Sequence, residues 1–163
     1  MNSDPEKSEI CFIQAGGTID KTYLATPDDH GRNFEIGDPA FFSIAKRWKI
    51  QYRVSYSKAC FKDSLEMDDH DRNKIRDAVT KAQEQKVIIT HGTDTVLETA
   101  RLLSTITSGK VVVLTGALDP ERFRDSDADF NLGMAVGAVH CLPPGIYIAL
   151  YGEVKKWNEY VHR

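Results

Sequence analysis

No run of apolar residues in the 163-residue chain approaches the roughly 20 needed for a helix to cross a bilayer, which excludes a helical membrane protein. Cysteine is scarce: Cys11, Cys60 and Cys141 are odd in number and far apart in sequence. No zinc or redox spacing links them, so the expectation is reduced, structural thiols and a cytoplasmic address. Neither sign of charge dominates. With 21 basic and 24 acidic residues, the net charge of −3 offers no electrostatic footprint for nucleic acid or an anionic membrane surface. Residues 1–9 are polar and cannot act as a secretory signal. Internal repeats and low-complexity tracts are also missing. So are the Gly-Lys-Ser/Thr ending of a phosphate loop and the G-x-G-x-x-G fingerprint.

What is present is an ordinary globular composition, 41% apolar and 28% charged, of a length that favours one domain over residues 1–163. Apolar, β-branched runs at 10–15, 51–56, 87–90, 111–115 and 146–151 read as strands. Helical patterns separate them. Asp38 and Pro39 are expected to cap and open the first, ahead of Phe41, Phe42, Ile44 and Ala45. Asp68 is expected to cap a second, with Ile75, Ala78, Val79 and Ala82 on its apolar face. Thr93 or Asp94 should open a third, carrying Leu97, Ala100, Leu103 and Ile106. The fourth, over 127–141, is apolar on nearly every side. It is expected to be buried, with Gly133 and Gly137 admitting another backbone closely. Trp48 and Trp157 read as packing residues.

Strands alternating with helices imply a three-layer α/β fold. A mostly parallel, doubly wound sheet, flavodoxin-like or Rossmann-like, carries helices on both faces. Ligands bind such sheets beyond the carboxyl ends of the strands. That places the chemistry at Gly16-Gly17-Thr18, 58–67, 91–95, 116–127 and 152–163, the segments richest in Gly, Thr, Ser and Asp. Residues 22–37, with the Pro27-Asp28-Asp29-His30-Gly31 turn, read as a lid hairpin beginning near Thr18. The acidic cluster Asp68-Asp69-His70-Asp71 is read as a first helical turn favoured by the helix dipole, without the ligand spacing of a metal site.

Gly16-Gly17-Thr18-Ile19 alone is a turn, and Thr90-His91-Gly92-Thr93-Asp94-Thr95 alone is a helix start. Together they say more. With Glu98-Thr99-Ala100, Val113-Leu114-Thr115-Gly116-Ala117 and Ser64-Leu65-Glu66-Met67, in this order, the chain resembles the amino-terminal half of the L-asparaginase family. Gly-Gly-Thr-Ile-Asp-Lys followed by Tyr23 is similar to its short stand-alone members.

The resemblance implies an amidohydrolase that converts L-asparagine, or a related amino-acid amide, to L-aspartate and ammonia. It implies a threonine nucleophile and neither a metal nor an organic cofactor. By position, Thr18 matches the attacking threonine, Thr93 the second catalytic threonine and Asp94 the acid at the substrate's α-amino group. Ser64, flanked by Asp63, matches the residue that holds the α-carboxylate, with Gly17 and Gly92 lining the same pocket. Tyr23 stands for the tyrosine that orients the first threonine. The family's catalytic lysine falls on His162, with Lys155 and Lys156 nearby. The family's carboxy-terminal domain has no counterpart in the sequence. A homodimer or homotetramer is implied by the family alone. The rival expectations are an amino-acid-binding pseudoenzyme, because lysine gives way to histidine, and a flavodoxin-like nucleotide or flavin protein. Arg122 and Arg124 lie in a loop beside the presumed site.

Overall fold

The computed structural model describes residues 9–23, 34–106 and 109–162, except for the Tyr23 side chain. Five parallel strands form the centre: β1 (Ile10–Gly16), β4 (Val54–Lys62), β5 (Lys86–Thr90), β6 (Val111–Thr115) and β7 (Gly145–Leu150). The last strand, β8 (Glu153–Lys156), turns back antiparallel along β7, so the sheet order is β4-β1-β5-β6-β7-β8. A separate two-stranded hairpin root pairs β2 (Lys21–Tyr23) with β3 (Phe34–Ile36).

Four helices cover the sheet: α1 (Ala40–Arg47), α2 (Asp69–Lys81), α3 (Val96–Leu103) and α4 (Ala128–Cys141). Because side chains alternate along a strand, β1 sends Cys11, Ile13 and Ala15 to one face and Ile10 and Phe12 to the other. The first face packs on Ile75 and Val79 of α2 and on Val96, Ala100 and Leu103 of α3. The second packs on Phe41 and Ile44 of α1 and on Leu132, Ala135 and Val139 of α4. Phe12 stacks on Phe41 with ring centroids 4.2 Å apart. The fold is three-layer α/β. Among the described residues no helix is long and apolar enough to cross a membrane.

The local punctuation departs from the sequence expectation in several places. The second large strand spans Val54–Lys62, well beyond residue 56. It is an edge strand in which Ser55 and Ser57 are half-buried, Lys58 is exposed and Cys60 is buried. Only 63–67 of the expected loop 58–67 therefore lies past a strand end. Helix α1 begins at Ala40 with Pro39 in the cap position, and no local side chain caps it. The Ala40 amide is instead taken by the carboxylate of Asp20, 2.8 Å away. Helix α3 starts at Val96 rather than at Thr93 or Asp94, and the Thr95 hydroxyl in its cap position donates to Ser64 O. Asp68 does cap α2, in a reciprocal capping box with Asp71.

Helix α4 is covered on one side only. Gly133 and Gly137 are exposed, and an added Cβ at either would meet nothing within 4 Å. Trp48 is likewise 63% exposed rather than packed; its indole N–H donates to Asp129 at 2.8 Å. Trp157 does pack against the core.

Candidate functional site

Strand order decides where a site can form. Counting only the parallel strands, the order 2-1-3-4-5 is the flavodoxin-like winding, and its chain reversal lies between β1 and β5. Ligands bind doubly wound sheets at that reversal, beyond the carboxyl ends. The two segments that leave there are Gly17-Thr18-Ile19-Asp20 and His91-Gly92-Thr93-Asp94.

These segments meet backbone to backbone. Gly17, with φ +87°, lies so close to Gly92 that an added Cβ would land on the Gly92 amide nitrogen. On its other side, Gly92 is pressed by Ser64, and a Cβ there would overlap the Ser64 hydroxyl. Only glycine permits both approaches. The contacts gather Thr18, Thr93, Asp94 and Ser64 around one junction. Thr18 and Thr93 are half-buried and Asp94 is exposed. Neither Thr93 nor Asp94 is spent on capping α3.

The junction is braced from behind. His91 is fully buried; its Nδ1–H donates to Gly92 O at 2.8 Å and its Nε2 accepts from the Thr99 hydroxyl at 2.8 Å. A carbonyl can only accept, so Nδ1 carries the proton, and with the ring neutral Nε2 accepts from the Thr99 hydroxyl. Burial pushes its pKa down to about 4, with the Arg72 charge acting in the same direction. Arg72 itself joins Met67 O to Glu98, fastening the Ser64 turn and α2 to α3. The Ser64 turn is held further by Asp63, whose carboxylate accepts from Leu65 N and pairs with Lys21 at 2.6 Å. Lys21 holds the Asp63 pKa low. The Ser64 hydroxyl is buried and has no hydrogen-bond partner among the described residues.

His162, distant in sequence, reaches the same place. After β8 the chain runs beside α3, and His162 Nε2 lies 3.1 Å from Thr93 O. Lys155 pairs with Glu153 at 3.0 Å and Lys156 is exposed on the sheet edge. Most of the expected lid, and the Tyr23 side chain, lie outside the described residues. Its root is a hairpin only from Lys21 onward, because Thr18–Asp20 is a 3-10 turn. Arg122 and Arg124 are exposed in the loop after β6. Among the described residues no three His, Cys, Asp or Glu side chains are grouped to share a metal ion.

A family profile described as "Asparaginase, N-terminal" matches residues 9–161. The chain belongs to the asparaginase family. Among solved structures it is similar to the thermostable L-asparaginase from Thermococcus kodakarensis, with 26% identity, TM-score 0.79, 91% of this chain and 46% of that one. It is similar also to a probable cytoplasmic L-asparaginase from Campylobacter jejuni, with 28% identity, TM-score 0.78, 95% of this chain and 49% of that one. A curated relative, a glutamyl-tRNA(Gln) amidotransferase subunit of Methanobrevibacter smithii, is 26% identical across 98% of this chain and 37% of its own length. The chain thus spans about half the length of these solved asparaginases and about a third of that curated relative.

Sequence reasoning missed Asp20, Thr99 and Lys21 as parts of this asparaginase-like junction. Asp20 is only 2% exposed, and burial pushes its pKa up to about 6 despite bonds from Ala40, Gln14 and Thr90. No local signal marked it, because Asp20 stands between Ile19 and Lys21 in a Gly-Gly-Thr turn and its burial is set by elements distant in sequence.

His91 and Asp20 give the fold opposing acid responses. As pH falls from 6.5 to about 4, unfolded His91 takes a proton that the native ring refuses, costing up to about 3 kcal/mol of stability. As pH falls from about 6 to 3.8, native Asp20 takes a proton that the unfolded chain refuses, returning roughly 3 kcal/mol. The two contributions oppose each other across that window. In Asp20→Asn the return is absent. The urea midpoint of that variant is therefore expected to fall more steeply between pH 6.5 and 4.5 than the wild type's. Parallel midpoints would refute the assignment.

Proposed function

We propose that the chain hydrolyses the side-chain carboxamide of an amino acid, L-asparagine first among candidates, by threonine nucleophilic catalysis. The observation that carries this reading is the Gly17–Gly92 contact, which sets Thr18 and Thr93 on adjoining segments at the strand reversal. In this reading Thr18 Oγ1 attacks the amide carbon as a base takes its proton. Strand-end amides steady the oxyanion. Collapse releases ammonia, and water then cleaves the Thr18 ester to give the acid. Thr93 relays the proton with His162, and Asp94 pairs with the α-ammonium. Ser64 donates to the α-carboxylate. A buried hydroxyl without a partner costs about 1–3 kcal/mol, and a bound carboxylate would supply that partner.

The supporting evidence is the family membership and the asparaginase neighbours. The relation to an amidotransferase component favours a second reading, with glutamine as the amide. Assembly as a homodimer or homotetramer, a cytoplasmic setting and a single-domain unit are carried over as parts of the same proposal. Ammonia release from L-asparagine, L-glutamine, D-asparagine and simple carboxamides is the test. L-asparagine is expected to exceed simple amides by at least about tenfold, the scale of one lost charged contact. A glutamine preference moves the assignment to the second reading. Release from none of them, with L-aspartate still bound, would establish the pseudoenzyme.

A further inference from the structure

Asp20 is the point where the site's separate elements are tied. Its Oδ1 accepts the Ala40 amide at the start of α1 at 2.8 Å. Its Oδ2 accepts Gln14 Nε2 of β1 at 3.0 Å and the Thr90 hydroxyl of β5 at 3.4 Å. Its own N–H donates to Gly17 O at 3.2 Å, closing the 3-10 turn that bears Thr18. Its carbonyl accepts the Gly37 amide at 2.7 Å, just past β3. Gln14 Nε2 also donates to Gly37 O at 3.2 Å, and Tyr56 Oη fixes its orientation by donating to Oε1 at 2.7 Å.

We propose that Asp20 is the positioning residue for Thr18, clamping its turn to β5 ahead of Thr93 and to both ends of the β2–β3 hairpin root. The proposal rests on the amidohydrolase reading for its consequence in turnover, but the clamp itself does not.

The physical case is a donor count. Two amide donors, Ala40 N and Gln14 Nε2, converge on one carboxylate with the Thr90 hydroxyl beside them, and an ionised carboxyl accepts from all three. An amide at position 20 sets its NH2 against Gln14 Nε2 or against the Ala40 amide, so one of those two bonds is lost, whereas the Thr90 hydroxyl can reverse and accept. Gln14 can flip to offer its oxygen only by giving up its bond to Gly37 O. The charged and titratable groups facing the clamp are otherwise engaged or distant. Glu121, from the loop after β6, is paired with Arg47, and Lys21 with Asp63. Asp38 ahead of α1 and Glu121 supply the remaining negative charge, acting on Tyr56 and Asp20 respectively. Loosening the turn displaces the Thr18 hydroxyl, and a displacement of about 1 Å can cost about 100-fold in rate.

Asp20→Asn is the test, read on the full chain at pH 7.5. The expected result is kcat lower by about 100-fold with KM within about threefold. Protection of the Gly37 and Ala40 amides from hydrogen exchange should fall alongside. Wild-type kcat, or loss through KM alone, would overturn the proposal. If Asp20→Asn does not fold, Tyr56→Phe replaces it, because Tyr56 is 41% exposed on the edge strand and its loss frees the Gln14 amide. There kcat and Gly37 protection should both decline, and wild-type values of both would overturn the clamp. Should the wild type release no ammonia at all, the functional reading fails while the exchange arm still decides the clamp. Gly37 and Ala40 protection must then still fall in Asp20→Asn, or in Tyr56→Phe if that variant does not fold; protection equal to the wild type's would refute it.

Discussion

Replacing either Thr18 or Thr93 by alanine is expected to lower amide turnover by at least about 10⁴-fold, the scale seen when one member of a nucleophilic constellation is removed. The protein should stay folded. Both side chains are half-buried at strand ends, and neither caps a helix. Changes of this kind are usually within about 0.5 kcal/mol of neutral. Because the two hydroxyls act in one step, the double variant should be no slower than the slower single one. Thr→Ser at either position keeps the hydroxyl and loses a methyl, so it should retain a measurable fraction of activity. Turnover and thermal midpoint measured on the same preparations separate loss of chemistry from loss of fold. Wild-type turnover in either alanine variant would end the two-threonine mechanism, since no arrangement with one hydroxyl idle fits it.

The layer architecture was legible because it depends on short-range pattern. Runs such as Val111–Thr115 and Gly145–Leu150 are buried on both faces, and fully buried parallel strands read as continuous apolar sequence. What pattern cannot supply is strand order, and order is what sets Thr18 beside Thr93. The His91–Thr95 and Gly16–Thr18 motifs pointed to both segments, but only the β1–β5 adjacency brings them to one junction. The misses share a cause. The α1 cap comes from Asp20, twenty residues away, where local rules favoured Asp38. The Thr95 hydroxyl is drawn to Ser64 O, thirty-one residues away, so α3 begins later than its sequence suggests. Gly133 and Gly137 were expected to admit a backbone within the fold, yet they face outward. An all-round apolar helix does not disclose which side the sheet will take. Asp63 was expected to line the pocket, and its carboxylate is occupied by Lys21 and Leu65 N, which steady the turn that holds Ser64.

His162 carries the second large expected effect. Its Nε2 faces the Thr93 carbonyl at 3.1 Å, and in that contact Nε2 must carry the proton, leaving Nδ1 as the lone-pair nitrogen. A neutral ring in this tautomer has one acceptor available for a proton relayed from Thr93 through water. Removing such a base costs about 10²–10⁴-fold, so His162→Ala should lose that factor in kcat with KM little changed. His162→Gln preserves the donor to Thr93 O and removes the basic nitrogen. It should be as slow as alanine if proton transfer matters, and near wild type if only the hydrogen bond does. His162→Lys offers the family's usual base, and lysine stays charged until far more alkaline pH, near ~10.4 when unperturbed. The limb of the pH–rate profile set by the base should therefore move to higher pH in that variant. Deleting 162–163 removes the ring without a substitute. A shortened chain that hydrolyses asparagine at the wild-type rate would show that His162 takes no part, and would pass the proton-accepting role to Lys155, Lys156 or the threonines themselves.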